Sequence, residues 1–271
     1  MNPDATYFYL PEKYWKIHDQ CELIFSQIEG FITDDAYLEL RINQFDLGTE
    51  FSLEENEHVL DFLLRINKLD EHDKIIKTTI VYGLLMDLCD SLQEAIACSK
   101  KRRLSVTFAL LRKPFVYTLL VFLRLIFDDD FLEKFNTNDS FDATSIDENT
   151  KLNLLKMSLP LLIATRTANE NELYDWIFNQ NKPDSLINIT NRAIHLSTTR
   201  NKNNKTGVQN LNFIFLNQEN IESLWDYLYH RLPFLLLYLT EILDVLVFNL
   251  IEIPEGKLNQ RLEDRIRILN K

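Results

Sequence analysis

Hydrophobic residues along the chain gather into long runs instead of alternating with polar ones. The densest run is residues 232–253, LPFLLLYLTEILDVLVFNLIEI, and a second spans 104–127, LSVTFALLRKPFVYTLLVFLRLIF. Wound at roughly 100° per residue, the first run spreads Leu235, Leu239, Ile242, Leu246, Val247 and Leu250 over a face too wide for a surface helix. His230, Glu241, Asp244 and Glu252 fall together on one narrow stripe of the same helix. Two carboxylates near its middle would each cost about 2.5–3.5 kcal/mol in a bilayer. The run is therefore expected to be a buried core helix, not a membrane span.

The rest of the pattern predicts further helices. An aromatic arm (Tyr7, Phe8, Tyr9, Tyr14, Trp15) leads into a short helix ending near Gly30. Ser52 and Glu55 offer a capping box for a helix running to about Lys68. A long helix over 74–101 ends in four cations, which suit the carbonyl end of the helix dipole. Asp128, Asp129 and Asp130 provide an N-terminus for a helix from Phe131, and helices follow at about 150–165, 169–180, 184–196 and 218–252. The stretch 211–215, LNFIF, reads as a short strand, giving a strand or hairpin near 197–215. Residues 255–271 form a last helix whose Leu258, Leu262, Ile266 and Leu269 make one docking face, for this fold or for a partner protein. The expected architecture is mostly α: a single helical domain over 1–271, a multi-helix bundle around two very apolar helices at about 104–127 and 232–252. The polar segment 136–149 is its candidate mobile loop or internal boundary.

Composition sharpens this. With 271 residues, 46% of them hydrophobic, the chain can bury a substantial core, and only 5 Gly and 7 Pro favour helices over turn-rich β structure. A formal net charge of −12 argues against a protein that coats nucleic acid with its whole surface. Cys89 and Cys98 sit on one predicted helix about 13 Å apart along its axis, too far to bridge, so with Cys21 they form no disulfide framework. The first residues lack the basic start and apolar core of a signal peptide, so a cytoplasmic setting is expected. Five scattered histidines and three cysteines show no zinc spacing, and no metal or cofactor is implied.

Charge is uneven. From Ser185 to Gln218 there is no acidic residue, while Arg192, Arg200, Lys202 and Lys205 are all present with His195 among them. Hydroxyl and amide donors fill the gaps, so the tract has the makeup of an anion-holding loop for phosphate, a nucleotide or an RNA backbone. On a helix, Arg192 and His195 share a face at i and i+3. A second constellation sets Arg112 and Arg124, inside one apolar helix, against Glu241 and Asp244 inside the other. Charges so placed must reach water or find each other, and buried ion pairs between the two helices are the expected outcome.

The segment RINKLDEH carries Arg65 and His72 with six residues between them. In this spacing and in its helical texture the chain resembles HEPN-type and abortive-infection-like proteins of bacterial defence and toxin systems. The resemblance implies metal-independent RNA cleavage by a dimer, with Arg65 and His72 as the catalytic pair. The residues themselves favour an intracellular binding protein using the tract 192–205 to hold a phosphorylated ligand or RNA. A structural subunit of a larger complex is the remaining alternative.

Overall fold

The computed structural model describes residues 6–45, 51–165, 168–198, 205–213 and 216–270. Among them are eleven α-helices and no strand. In chain order these are α1 (Trp15–Thr33), α2 (Val59–Arg65), α3 (Leu69–Lys100), α4 (Leu104–Arg112), α5 (Leu119–Phe127) and α6 (Phe131–Thr137). After them come α7 (Glu148–Ser158), α8 (Glu170–Ile177), α9 (Leu186–Ile194), α10 (Gln218–Leu250) and α11 (Lys257–Asn270). The mostly-α bundle is thus present, and its two most apolar segments are central to it.

Helix α10 is the axis of the fold. Asn217 caps it by accepting from Asn220 N, and it continues unbroken through Pro233 until Ile251 turns extended. Leu235, Leu236, Tyr238, Leu239, Ile242, Leu243 and Val247 are all buried, as the wide apolar face requires. Three polar side chains fix its neighbours. Trp225 Nε1 donates to Ser99 O, Tyr229 Oη meets Ser99 Oγ at 2.8 Å, and Tyr238 Oη meets Ser158 Oγ at 2.8 Å. Helix α3 packs on α1 and α4, α1 on α10, α4 on α9 and α5 on α7. The segments Leu104–Phe127 and Gln218–Leu250 are long and apolar enough to cross a membrane, and 67% and 72% of their most apolar windows are buried inside the fold.

Several local expectations change. Helix α1 is no short appendix: Cys21, Ile24, Phe25, Ile28 and Phe31 recur at helical spacing and are buried past Gly30. Helix α2 begins at Val59, capped by His58, because Arg65 binds Glu57 and Ser52 O and so holds residues 52–57 outside the helix. Asp130 occupies the N-cap of α6 without a side-chain cap bond, and Asp128 instead pairs with Arg124 at 2.9 Å. The polar segment after α6 folds back on α5, where Arg124 Nη1 donates to Ala143 O at 2.8 Å and Phe141 packs edge-on to Phe131.

The strand expected within 197–215 does not form among the described residues. Thr206 N donates to Thr198 O and Asn212 N to Leu196 O, at 3.0 and 2.8 Å. Side chains then take what a ladder would need: Thr198 N donates to Thr206 Oγ1, and Asn212 Nδ2 to His195 O. Gln209 and Phe213 adopt positive φ of 59° and 61°, which turns the chain where a strand would run on. The result is a pinned loop, with residues 214 and 215 outside the described set.

Candidate anion-binding site

Helix α9 carries Arg192 on its last turn, and its position is set from α4. Arg112 Nη1 donates to Asn191 Oδ1 at 2.6 Å and to Thr190 Oγ1 at 3.2 Å, so one guanidinium ties the two helices. The loop that follows α9 is pinned by Thr206 and Asn212, whose side chains also bond each other at 2.9 Å. The first turns of α10 close the third side.

Between these elements lies a cavity of about 520 Å³, within the ~300–1,000 Å³ of small-ligand sites. Arg192 and Lys205 both line it, with the amide and hydroxyl groups of Thr206, Asn212 and Asn220 on the polar side and Tyr227 on the apolar side. No carboxylate lines it among the described residues. Asp184, next to the lining residue Pro183, is already taken by Arg231 at 2.8 Å. Arg192 Nε is buried without a hydrogen-bond partner, and Arg192 has no ion pair among the described residues. Burial pulls its pKa below the ordinary arginine value, the response of a cation lacking compensating charge.

The tract that looked continuous in sequence divides in space. Arg192 and Lys205 converge on the cavity. His195 does not: α9 ends at Ile194 and His195 is its C-cap, with extended φ −114° and ψ 130°, so its exposed ring leaves the Arg192 face. The helix stops there because Asn212 draws the His195 carbonyl into the loop. Arg200 and Lys202 lie outside the described residues. Tyr227, which no charge pattern singled out, is central to the wall: it donates to Asp184 O at 2.9 Å and stacks under Arg231.

The second constellation assembles differently from the expectation. Arg112 meets no carboxylate among the described residues; Tyr117 Oη accepts from it at 2.7 Å, beside the α9 contacts. Arg124 pairs with Asp128 and lies over the rings of Phe131 and Phe141. Glu241 accepts from Ile163 N, Ala164 N and Thr165 N at 2.9, 2.6 and 3.3 Å and from Thr165 Oγ1 at 2.6 Å. Asp244 receives two arginines from α11, Arg261 at 2.7 Å and Arg265. The carboxylates therefore find partners on the connection before α8 and on the last helix, because those elements, not α4 and α5, cover this side of α10.

That choice also rotates α11. Arg261, Arg265 and Ile268 are buried, whereas Leu258, Ile266 and Leu269 of the expected docking face stay exposed. Arg65 and His72 are committed to separate partners, Arg65 to Glu57 at 2.7 Å and the buried His72 to Asp73 at 2.9 Å. Cys21, Cys89 and Cys98 are free and buried, and burial raises the Cys21 and Cys89 thiols, the latter to about 12. No family model matches the sequence, and no curated protein or solved structure shows significant similarity to it.

Proposed function

We propose that this chain is a binding protein that holds a phosphate-bearing anion in the cavity between α9, the first turns of α10 and the loop 205–213. One observation carries the reading: Arg192, which has no ion pair among the described residues, lines a cavity that Lys205 also lines and that no carboxylate lines among them. In a chain of net charge −12 such a place attracts anions against the average field of the molecule. Guanidinium suits the task because its planar fork matches two phosphate oxygens at once.

Titration calorimetry with inorganic phosphate and with sn-glycerol 3-phosphate tests the reading. Arg192→Gln should weaken binding about ten- to a hundredfold, the usual worth of a charge-assisted hydrogen bond. Lys205→Ser should weaken it less and flatten its dependence on salt. Equal affinity in wild type and Arg192→Gln would dispose of the site.

A further inference from the structure

A second cavity, lined by none of the residues of the first, opens between the end of α10, α11 and the connection before α8. It measures about 310 Å³, and every residue lining it belongs to the described set. Its walls are apolar: Leu161 and Ile163 from the connection, Val245 and Phe248 from α10, Leu258 and Leu262 from α11. Ile163 is 50% exposed and Leu258 38% exposed, so aliphatic side chains from two walls meet water here. The polar side is formed by the buried Glu241, Asp244 and Arg265. Glu241 is fully engaged by Ile163, Ala164 and Thr165. Arg265 is not. Its Nε donates to Gln27 Oε1 at 2.8 Å and its Nη2 to Asp244, while Nη1 makes no hydrogen bond among the described residues and stands 3.9 Å from Glu241 Oε1. Unlike Arg261 Nη2, this nitrogen is not sealed from the surface.

We infer that this cavity binds a small neutral amphiphile, its apolar body against the aliphatic walls and one acceptor oxygen on Arg265 Nη1. The volume lies at the lower end of the ~300–1,000 Å³ of small-ligand sites and suits a short alkyl chain. Charge balance selects neutrality. Asp244 takes Arg261 and Arg265, and Glu241 stands beside Arg265, so two carboxylates and two guanidiniums already match. A carboxylate or phosphate would bring a third anion against Glu241 and Asp244, and an ammonium a third cation against the arginines. Either would be a charge taken out of water without a counter-charge. A hydroxyl or carbonyl oxygen adds no charge and accepts from a cationic donor, which makes the stronger kind of hydrogen bond. The polar side is also fixed before a ligand arrives, since the bonds to Glu241 and Asp244 tie the connection and α11 to α10.

NMR titration of the methyl-labelled full chain with 1-hexanol, hexanoate and hexylammonium tests the place and the charge together, since the probes share one alkyl chain and differ in the head. In wild type, 1-hexanol should shift the methyls of Ile163, Val245, Leu258 and Leu262 saturably, with Kd about 1 mM or tighter. Both ions should bind about tenfold more weakly or worse. Val245→Phe, which fills the cavity from α10, should abolish the shifts at the remaining methyls. Leu258→Trp, at a position already exposed, should block the cavity in the same way and serves where Val245→Phe loses its fold. Arg265→Lys keeps the charge without Nη1 and should weaken 1-hexanol by about tenfold. Hexanoate or hexylammonium binding as well as 1-hexanol would overturn the neutral class, and unchanged affinity in a folded Arg265→Lys would overturn the role of Nη1. No saturable shift, shifts spread evenly over the core methyls, or shifts that persist in a folded filled variant would overturn the site itself.

Discussion

Asp244 sits in the middle of the most buried helix and accepts from two guanidinium groups, each less than a tenth exposed. Removing a charge costs most where its partners cannot reach water. In Asp244→Asn, Arg261 and Arg265 lose their main counter-charge, and Arg261 Nη2 already lacks a hydrogen-bond partner. The variant should lose about 3–5 kcal/mol of unfolding free energy, read from the midpoint of a urea melt. Replacing all three residues by apolar ones of similar size, Asp244→Leu with Arg261→Met and Arg265→Met, should restore most of that loss. A single-variant loss below about 1 kcal/mol would mean that the arginines swing out to solvent. The polar stripe of Glu241 and Asp244 was legible in the sequence, because two carboxylates in an apolar run demand an explanation. Their partners were not legible. Arg261 and Arg265 lie i and i+4 on a helix whose leucine stripe looks like the better face, and no local pattern shows that buried carboxylates will turn the arginines inward.

Among the elements, the join between α4 and α5 shows how a small backbone change places a functional helix. Pro114 lacks the N–H of an α-helical turn, and residues Lys113–Thr118 widen into a π-helical turn in which Leu119 N bonds Pro114 O. In a regular helix Arg112 and Tyr117 would lie about 140° apart. The wide turn brings them onto one side, where Tyr117 Oη accepts from Arg112 Nε and Nη2 at 3.1 and 2.7 Å. The remaining nitrogen, Nη1, is then aimed at α9. Arg112→Met should therefore cost about 2–3 kcal/mol of stability and speed amide hydrogen exchange across α9 more than across α3. Uniform exchange across the two helices would break the proposed link between α4 and the Arg192 helix. Apolar run length made α3, the α4–α5 segment and α10 readable in advance. The π turn was not readable, since a proline fits a first helical turn equally well, and the end of α9 depends on an amide of Asn212 that is distant in sequence.

At the scale of the molecule, α1, α3 and α10 are joined by a line of polar groups through the core: Glu22, His18, Tyr229 and Ser99. His18 is 1% exposed, with Nδ1 2.9 Å from Tyr229 Oη and Nε2 3.0 Å from Glu22. Glu22 and Asp19 favour the imidazolium, Lys100 opposes it, and burial outweighs them, so the His18 pKa is lowered from its ordinary value near 6.5. The unfolded chain therefore binds a proton at His18 more readily than the folded one. The stability that follows is present in full above about pH 6.5 and is lost as pH falls toward the folded pKa. Asp34, held low chiefly by Lys257, and Asp226, held low chiefly by Tyr14, act in the same direction further down, below about pH 4. Thermal unfolding between pH 7 and pH 3 should thus show two successive declines in Tm. His18→Gln, which keeps hydrogen-bonding capacity but does not titrate, should flatten the first decline and leave the second. An unchanged slope between pH 7 and pH 5 in the variant would assign the upper decline to another group, whatever the variant does to stability at neutral pH.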